Sequence, residues 1–212
     1  MPVDQAPAAF GVRVLAFPEV DDLDLMGAYA VLSKAAEIAE GRPPRWDVAI
    51  AGCQPELRTA GGLRFQAQAG LDEGRRPDAV LVPGGRGIQR ILTSAPYLEY
   101  LRAAHRHGAA VYSVCSGALL VAASGIAAGA TLAIHAAKRA DLARAGDCTP
   151  GAGLVLNAGL TSVGGDRRSS VKSVDLALQL VADHGAGLLP ELLARMELSQ
   201  GRTLETATPE QP

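Results

Sequence analysis

At 212 residues, with 48% hydrophobic and 20% charged residues and a formal net charge of −2, the chain has the make-up of one globular domain with a sizeable core. A near-neutral balance without a long Lys/Arg run argues against nucleic acid as its main partner. No apolar stretch reaches the roughly 20 residues that a membrane helix needs, and residues 1–10 lack the basic start and apolar run of a signal peptide, so the expectation is no membrane partner and a cytoplasmic location.

Residues 1–10 and 201–212 carry no pattern and read as loose tails around a single domain over 11–200. The run Val12-Arg13-Val14-Leu15-Ala16-Phe17, closed by Pro18, predicts the first strand. Apolar residues at helical spacing predict a helix over 24–40, ended by Gly41 and the Pro43-Pro44 pair. A second strand is expected over 46–51, then a hairpin-like excursion over 56–69 around Gly61-Gly62. A third strand over 79–82 stops at Pro83-Gly84-Gly85. A helix over 96–107 has Pro96 at its start and Gly108 just past its end. A fourth strand, 109–114, runs straight into a short apolar helix, 116–124. Beyond it come a helix over 136–145, short strands over 154–157 and 160–163, a helix over 170–183 and a last one over 190–198. Helices alternating with continuous apolar strands predict an α/β fold: a single domain with a mostly parallel sheet sandwiched by helices. Sites in such sheets gather beyond the carboxyl ends of the strands, which singles out loops 18–24, 83–88 and 115–117.

Of these, Val114-Cys115-Ser116-Gly117 carries the strongest chemistry. A strand that enters a helix without a loop must hold Cys115 on a sharp turn at the sheet edge, in the manner of a nucleophile elbow. Backbone N–H groups and the dipole of the following helix favour a thiolate there, so a lowered thiol pKa is expected. The glycines of Pro83-Gly84-Gly85-Arg86-Gly87 allow a tight turn or a close approach to a ligand, but they lack the pattern of a phosphate loop. Glu19, Asp21, Asp22 and Asp24 lie just past the first strand, where a carboxylate can face a thiol at a neighbouring strand end. Asp24 alternatively serves as a helix-start acid. Cys53, Cys115 and Cys148 have no CxxC spacing, and His105, His107, His135 and His184 form no pair with ligand spacing. Neither a disulfide framework nor a metal or other cofactor is therefore expected.

Taken together, Phe17-Pro18 through Gly27, Val82-Pro83-Gly84-Gly85, Ser113 to Gly117, Ser124-Gly125-Ile126 with Gly129, Leu160-Thr161-Ser162 and the helix through Asp175-Leu176-Ala177-Leu178 resemble the ThiJ/PfpI superfamily. This superfamily has a flavodoxin-like, class I glutamine-amidotransferase-like fold. The resemblance spans roughly residues 11–185 and is most similar to the isonitrile hydratase branch, which also resembles the sensor domains of AraC-type regulators. It implies Cys115 as nucleophile, Asp24 as the acid that moves the proton, and Ser116 as the hydroxyl that orients Asp24 or water. It further implies substrate contacts at Gly84, Gly85 and His135, with N–H groups of Gly85 and Ser116 steadying charge. The reaction implied is hydration of a small isonitrile to an N-substituted formamide by a homodimer that needs no cofactor. Glyoxalase-type chemistry on 2-oxoaldehydes and a ligand- or oxidant-sensing module remain as alternatives. Ser116 stands where protease-like members carry His, and Ala136 where many relatives carry Trp after the histidine. Arg167 and Arg168 depart from the commoner Ala/Gly-rich approach to the late helix and suit either an anionic ligand or a solvated loop. An AraC-type regulator would need a helix-turn-helix domain after residue 200, where about a dozen residues remain.

Overall fold

The computed structural model describes residues 9–71, 76–166 and 171–199; Arg167, Arg168 and most of both expected tails lie outside that range. In chain order the elements are β1 (Phe10–Ala16), α1 (Asp22–Ile38), β2 (Trp46–Gly52), β3 (Glu56–Arg58), β4 (Arg64–Gln66), β5 (Ala79–Val82), α2 (Ile88–Ile91), α3 (Ala95–Arg106), β6 (Ala110–Val114), α4 (Ala118–Ser124), β7 (Thr131–Ala133), α5 (Arg139–Ala145), β8 (Thr149–Gly151), β9 (Gly153–Asn157), β10 (Leu160–Gly164), α6 (Lys172–Gly185) and α7 (Leu189–Arg195). Six strands form one sheet in the order β2-β1-β5-β6-β10-β9. All neighbours run parallel except β9, which returns antiparallel on β10. The expected α/β sandwich is therefore present, with an antiparallel edge that the apolar runs alone do not reveal.

The strands are apolar on both faces because helices cover both. β5 is buried at every residue, and α1 turns Leu25, Ala28, Val31, Leu32, Ala35 and Ile38 inward at helical spacing. Tyr97 of α3 reaches across the core and donates its hydroxyl to the Ala16 carbonyl at 2.9 Å, tying that helix to the end of β1. Strand order reverses direction at β1: the chain passes first to β2 on one side, then to β5, β6 and β10 on the other. The crevice of an open α/β sheet lies at such a switch point, and the loops after β1, β5 and β6 meet there side by side.

The first two of these loops are laid against each other backbone to backbone. Asp21 N–H donates to the Gly84 carbonyl at 2.9 Å, and Gly87 N–H to the Glu19 carbonyl at 3.2 Å. This close approach is what the glycines after β5 serve, so a phosphate cradle is replaced by the neighbouring loop. A Cβ on Gly87 would stand 1.8 Å from the Pro18 carbonyl oxygen. Gly87→Ala is accordingly expected to destabilise the fold by about 3 kcal/mol, since two backbones cannot yield as a flexible side chain would. A urea midpoint close to that of the unaltered protein would contradict this packing.

Candidate active site

Cys115 stands at the end of β6 with a left-handed backbone, φ 58°, before a 3-10 turn over Cys115–Gly117 that continues as α4. A non-glycine residue held there costs about 1–3 kcal/mol and persists only where its surroundings enforce it. Here they do: Val114 is locked in the sheet, and Gly117 packs so closely on β5 that a Cβ would lie 2.3 Å from the Val82 carbonyl oxygen. The elbow expected from the sequence is present, and its sulfur is half-buried.

Asp24 comes to the same spot from α1. It does not cap the helix. Asp21 does, with its Oδ1 accepting the N–H groups of Leu23 and Asp24, each at 3.0 Å. The Asp24 carboxylate is thereby left to accept the Gly84 N–H at 3.1 Å. The other two acids of the loop are also spoken for. Asp22 accepts from the Thr59 hydroxyl and the Gly61 N–H, pinning the β3–β4 hairpin, and Glu19 pairs with Arg90 at 2.9 Å and Arg86 at 3.5 Å. Gly84 is the centre of the arrangement. A Cβ there would lie 2.7 Å from Asp24 Oδ2, 3.0 Å from Cys115 Cβ and 3.0 Å from Ser116 Oγ. Three side chains, Asp24 from α1 and Cys115 and Ser116 from the elbow, thus converge on space that the Gly84 turn leaves open.

Two expectations about the hydrogen bonds need correction. The Gly85 N–H donates to Ser116 Oγ at 3.0 Å, so it is not a free donor for substrate charge. The Ser116 hydroxyl donates back to the Gly85 carbonyl at 3.3 Å. Ser116 therefore locks the glycine turn beside the elbow, and its described hydrogen bonds go to Gly85 and not to Asp24. His135 begins the segment after β7 near the end of β10, but its ring is exposed and accepts the Ala137 N–H at 3.2 Å. His184 lies at the opposite ends of the strands, its ring tilted against Phe10 with centroids 4.8 Å apart and its Nε2 3.0 Å from the Tyr112 hydroxyl.

The electrostatics reverse the expected ionisation of the sulfur. Burial pushes the Cys115 thiol up to about 11, and the Asp24 charge adds to the rise; the Ser116 N–H and the Lys172 ammonium only partly offset it. Burial likewise pushes Asp24 up to about 6, helped by the Asp21 carboxylate and opposed by the Gly84 N–H and Lys172. At neutral pH the pair therefore holds one proton, on sulfur, beside a carboxylate of raised basicity. Lys172, at the start of α6, is the residue that sequence reasoning missed. Its only signal was a lone cation at the head of a helix.

Among the described residues no group of three or more His, Cys, Asp and Glu side chains could hold a metal ion, and no helix is long and apolar enough to cross a membrane. Cys148 donates its S–H to the Ala127 carbonyl at 3.1 Å. Cys53 is exposed on a cavity of about 810 Å³ that is also lined by Gln68, Glu99 and Tyr100 and is separate from the elbow.

The model of the DJ-1/PfpI family matches residues 11–167. The isonitrile hydratase of Pseudomonas putida is 26% identical over 127 residues, which cover 60% of this chain and 53% of that protein. The HTH-type transcriptional regulator GbdR of Pseudomonas aeruginosa is 30% identical over 114 residues, 53% of this chain and 30% of the regulator. The chain thus spans about half the length of the first relative and under a third of the second. Among solved structures, a ThiJ/PfpI family protein from Pseudomonas syringae superposes with a TM-score of 0.76 at 19% identity, covering 97% of this chain and 80% of the other.

Proposed function

The chain belongs to the DJ-1/PfpI family, and from that premise we propose that it hydrates a small isonitrile to an N-substituted formamide, with Cys115 as nucleophile and Asp24 as proton carrier. The observation that carries the reading is the convergence of Asp24 and Cys115 on Gly84, with the carboxyl pushed up to about 6. In the first step the sulfur attacks the terminal carbon as Asp24 takes the thiol proton and returns it to that same carbon. The S–C and C–H bonds form and the product is a thioformimidate. In the second step water adds to this carbon, and Asp24 takes one water proton and passes it to the imine nitrogen. The C–S bond then breaks as Asp24 takes the remaining hydroxyl proton and hands it to the sulfur, and the formamide leaves, so that one isonitrile and one water give one formamide. A proton carrier works best with a pKa near the working pH, and one raised to about 6 lies closer to neutrality than an ordinary carboxyl at 3.8.

Parallel assays of neutral isonitriles and 2-oxoaldehydes, read by NMR, test the reading. Formamide is expected, with kcat/KM rising through an acid limb centred near 6, because Asp24 must be ionised to accept the proton. Hydroxy-acid product from the 2-oxoaldehyde without formamide would replace hydration by glyoxalase-type chemistry. The likeness to GbdR favours a second reading, a ligand-sensing module. It is supported if neither substrate turns over while small ligands raise the melting temperature. Oxidant sensing fits less well, because a thiol pushed up to about 11 yields little of the thiolate that peroxide attacks.

A further inference from the structure

We propose that Lys172 is a specificity-determining residue of this site, favouring electrophiles that carry a carboxylate or another anionic group close to the atom Cys115 attacks. The proposal extends the hydratase reading to a substrate class. Lys172 opens α6, and its Nζ lies 2.7 Å from Asp166 Oδ1, with the two side chains 18% and 20% exposed. Asp166 follows the end of β10, the strand beside that of Cys115, with Val163 in register with Val114. The head of α6 is docked on the first turns of α1. The Ser173 hydroxyl donates to the Leu23 carbonyl at 2.9 Å, the peptide just before Asp24, and a Cβ on Gly27 would lie 2.7 Å from Ser173 Oγ. Lys172 is therefore held between the strand end beside the elbow and the helix turn that carries Asp24. Its charge acts on both reacting groups, drawing Asp24 and Cys115 down against burial.

The charge balance says why this cation matters. With two carboxyl groups, Asp24 and Asp21, near the sulfur, the elbow is a poor host for an anion. An ammonium has three N–H donors, so Lys172 can keep Asp166 and still offer donors to a substrate anion. A low-exposure cation beside a nucleophile raises the local concentration of oppositely charged reactants.

Alkylation of Cys115 by iodoacetate and by iodoacetamide, resolved from Cys53 and Cys148 by peptide mass mapping, tests this on the full chain without turnover. Both reagents need the same thiolate, so the ratio of their rates isolates anion attraction. Lys172→Gln is expected to lower the iodoacetate-to-iodoacetamide ratio about tenfold, Lys172→Arg to keep it, and Asp166→Asn to raise it. A ratio unmoved in Lys172→Gln, or both reagents slowed equally, overturns the proposal and leaves Lys172 a structural ion pair. Should Lys172→Gln fail to fold, Asp166→Asn decides: a ratio that does not rise overturns it. A protein that keeps the predicted ratios yet hydrates no isonitrile sinks the hydratase reading alone.

Discussion

Cys115→Ala is expected to cut kcat/KM for isonitrile hydration by more than about 10³-fold while leaving the fold intact. Both steps of the proposed reaction depend on the bond between the sulfur and the substrate carbon, and each of the nearby groups has a different task. Asp24 accepts the Gly84 N–H and carries the proton, and the Ser116 hydroxyl is committed to Gly85. Alanine keeps the Cβ and the same left-handed backbone at φ 58°, so the elbow loses only a half-buried sulfur. Formamide release followed by NMR, alongside a thermal melt of the same preparation, checks both halves. Retained turnover in a folded variant would place the covalent chemistry elsewhere.

Asp24→Asn is expected to do two opposite things. Turnover should fall about 10²- to 10⁴-fold, the usual worth of a positioned acid–base group. Stability should rise. The carboxyl has a pKa of about 6 in the folded protein against an ordinary 3.8, so the folded state binds the proton more tightly and stability falls as pH rises between those values. Above about 6 the whole penalty of the buried charge is present; below 3.8 it is gone. Asparagine can still accept the Gly84 N–H and carries no charge. The variant should thus exceed the unaltered protein by about 1–3 kcal/mol at neutral pH, with the gap closing in acid. Urea midpoints at two pH values would show it. A variant less stable at neutral pH would mean that the hydrogen bond to Gly84 needs the charged form.

The three strand ends that build the site are legible because each is a buried apolar run closed by a residue that cannot continue it: Pro18, Pro83 and the Cys115 elbow. What escapes is short or collective. β7 and β8 have three residues each, too few for a period, and Thr149-Pro150-Gly151 carries two residues that usually mark a turn. α2 is a four-residue helix hidden behind the glycine turn. Spacing could not say which of four clustered acids caps α1; the extended backbone of Asp21 decides it and so releases Asp24. The resting state of the thiol escapes the sequence for a similar reason. The helix dipole is a local property and can be read along the chain, whereas burial and the Asp24 charge exist only once the loops have met. Strand-end topology alone brings a carboxylate of this loop opposite the thiol, but the choice of Asp24 among the four acids rests on the family resemblance, because residues so far apart in sequence carry no spacing signal. The ion pair between Lys172 and Asp166 brackets a segment whose composition drew attention only to its arginines.

The left-handed backbone at Cys115 also has an evolutionary side. Folding by itself prefers glycine at such a torsion angle, by about 1 kcal/mol or more. A lineage released from any need for the sulfur would gain stability by drifting to glycine at this one position, while its neighbours in β6 stayed apolar to fill the core. Cysteine here runs against the grain of the backbone, so among descendants of this sequence the residue at 115 would act as a marker. Where the thiol persists, selection is acting on chemistry, and where glycine replaces it, the scaffold has outlived the reaction.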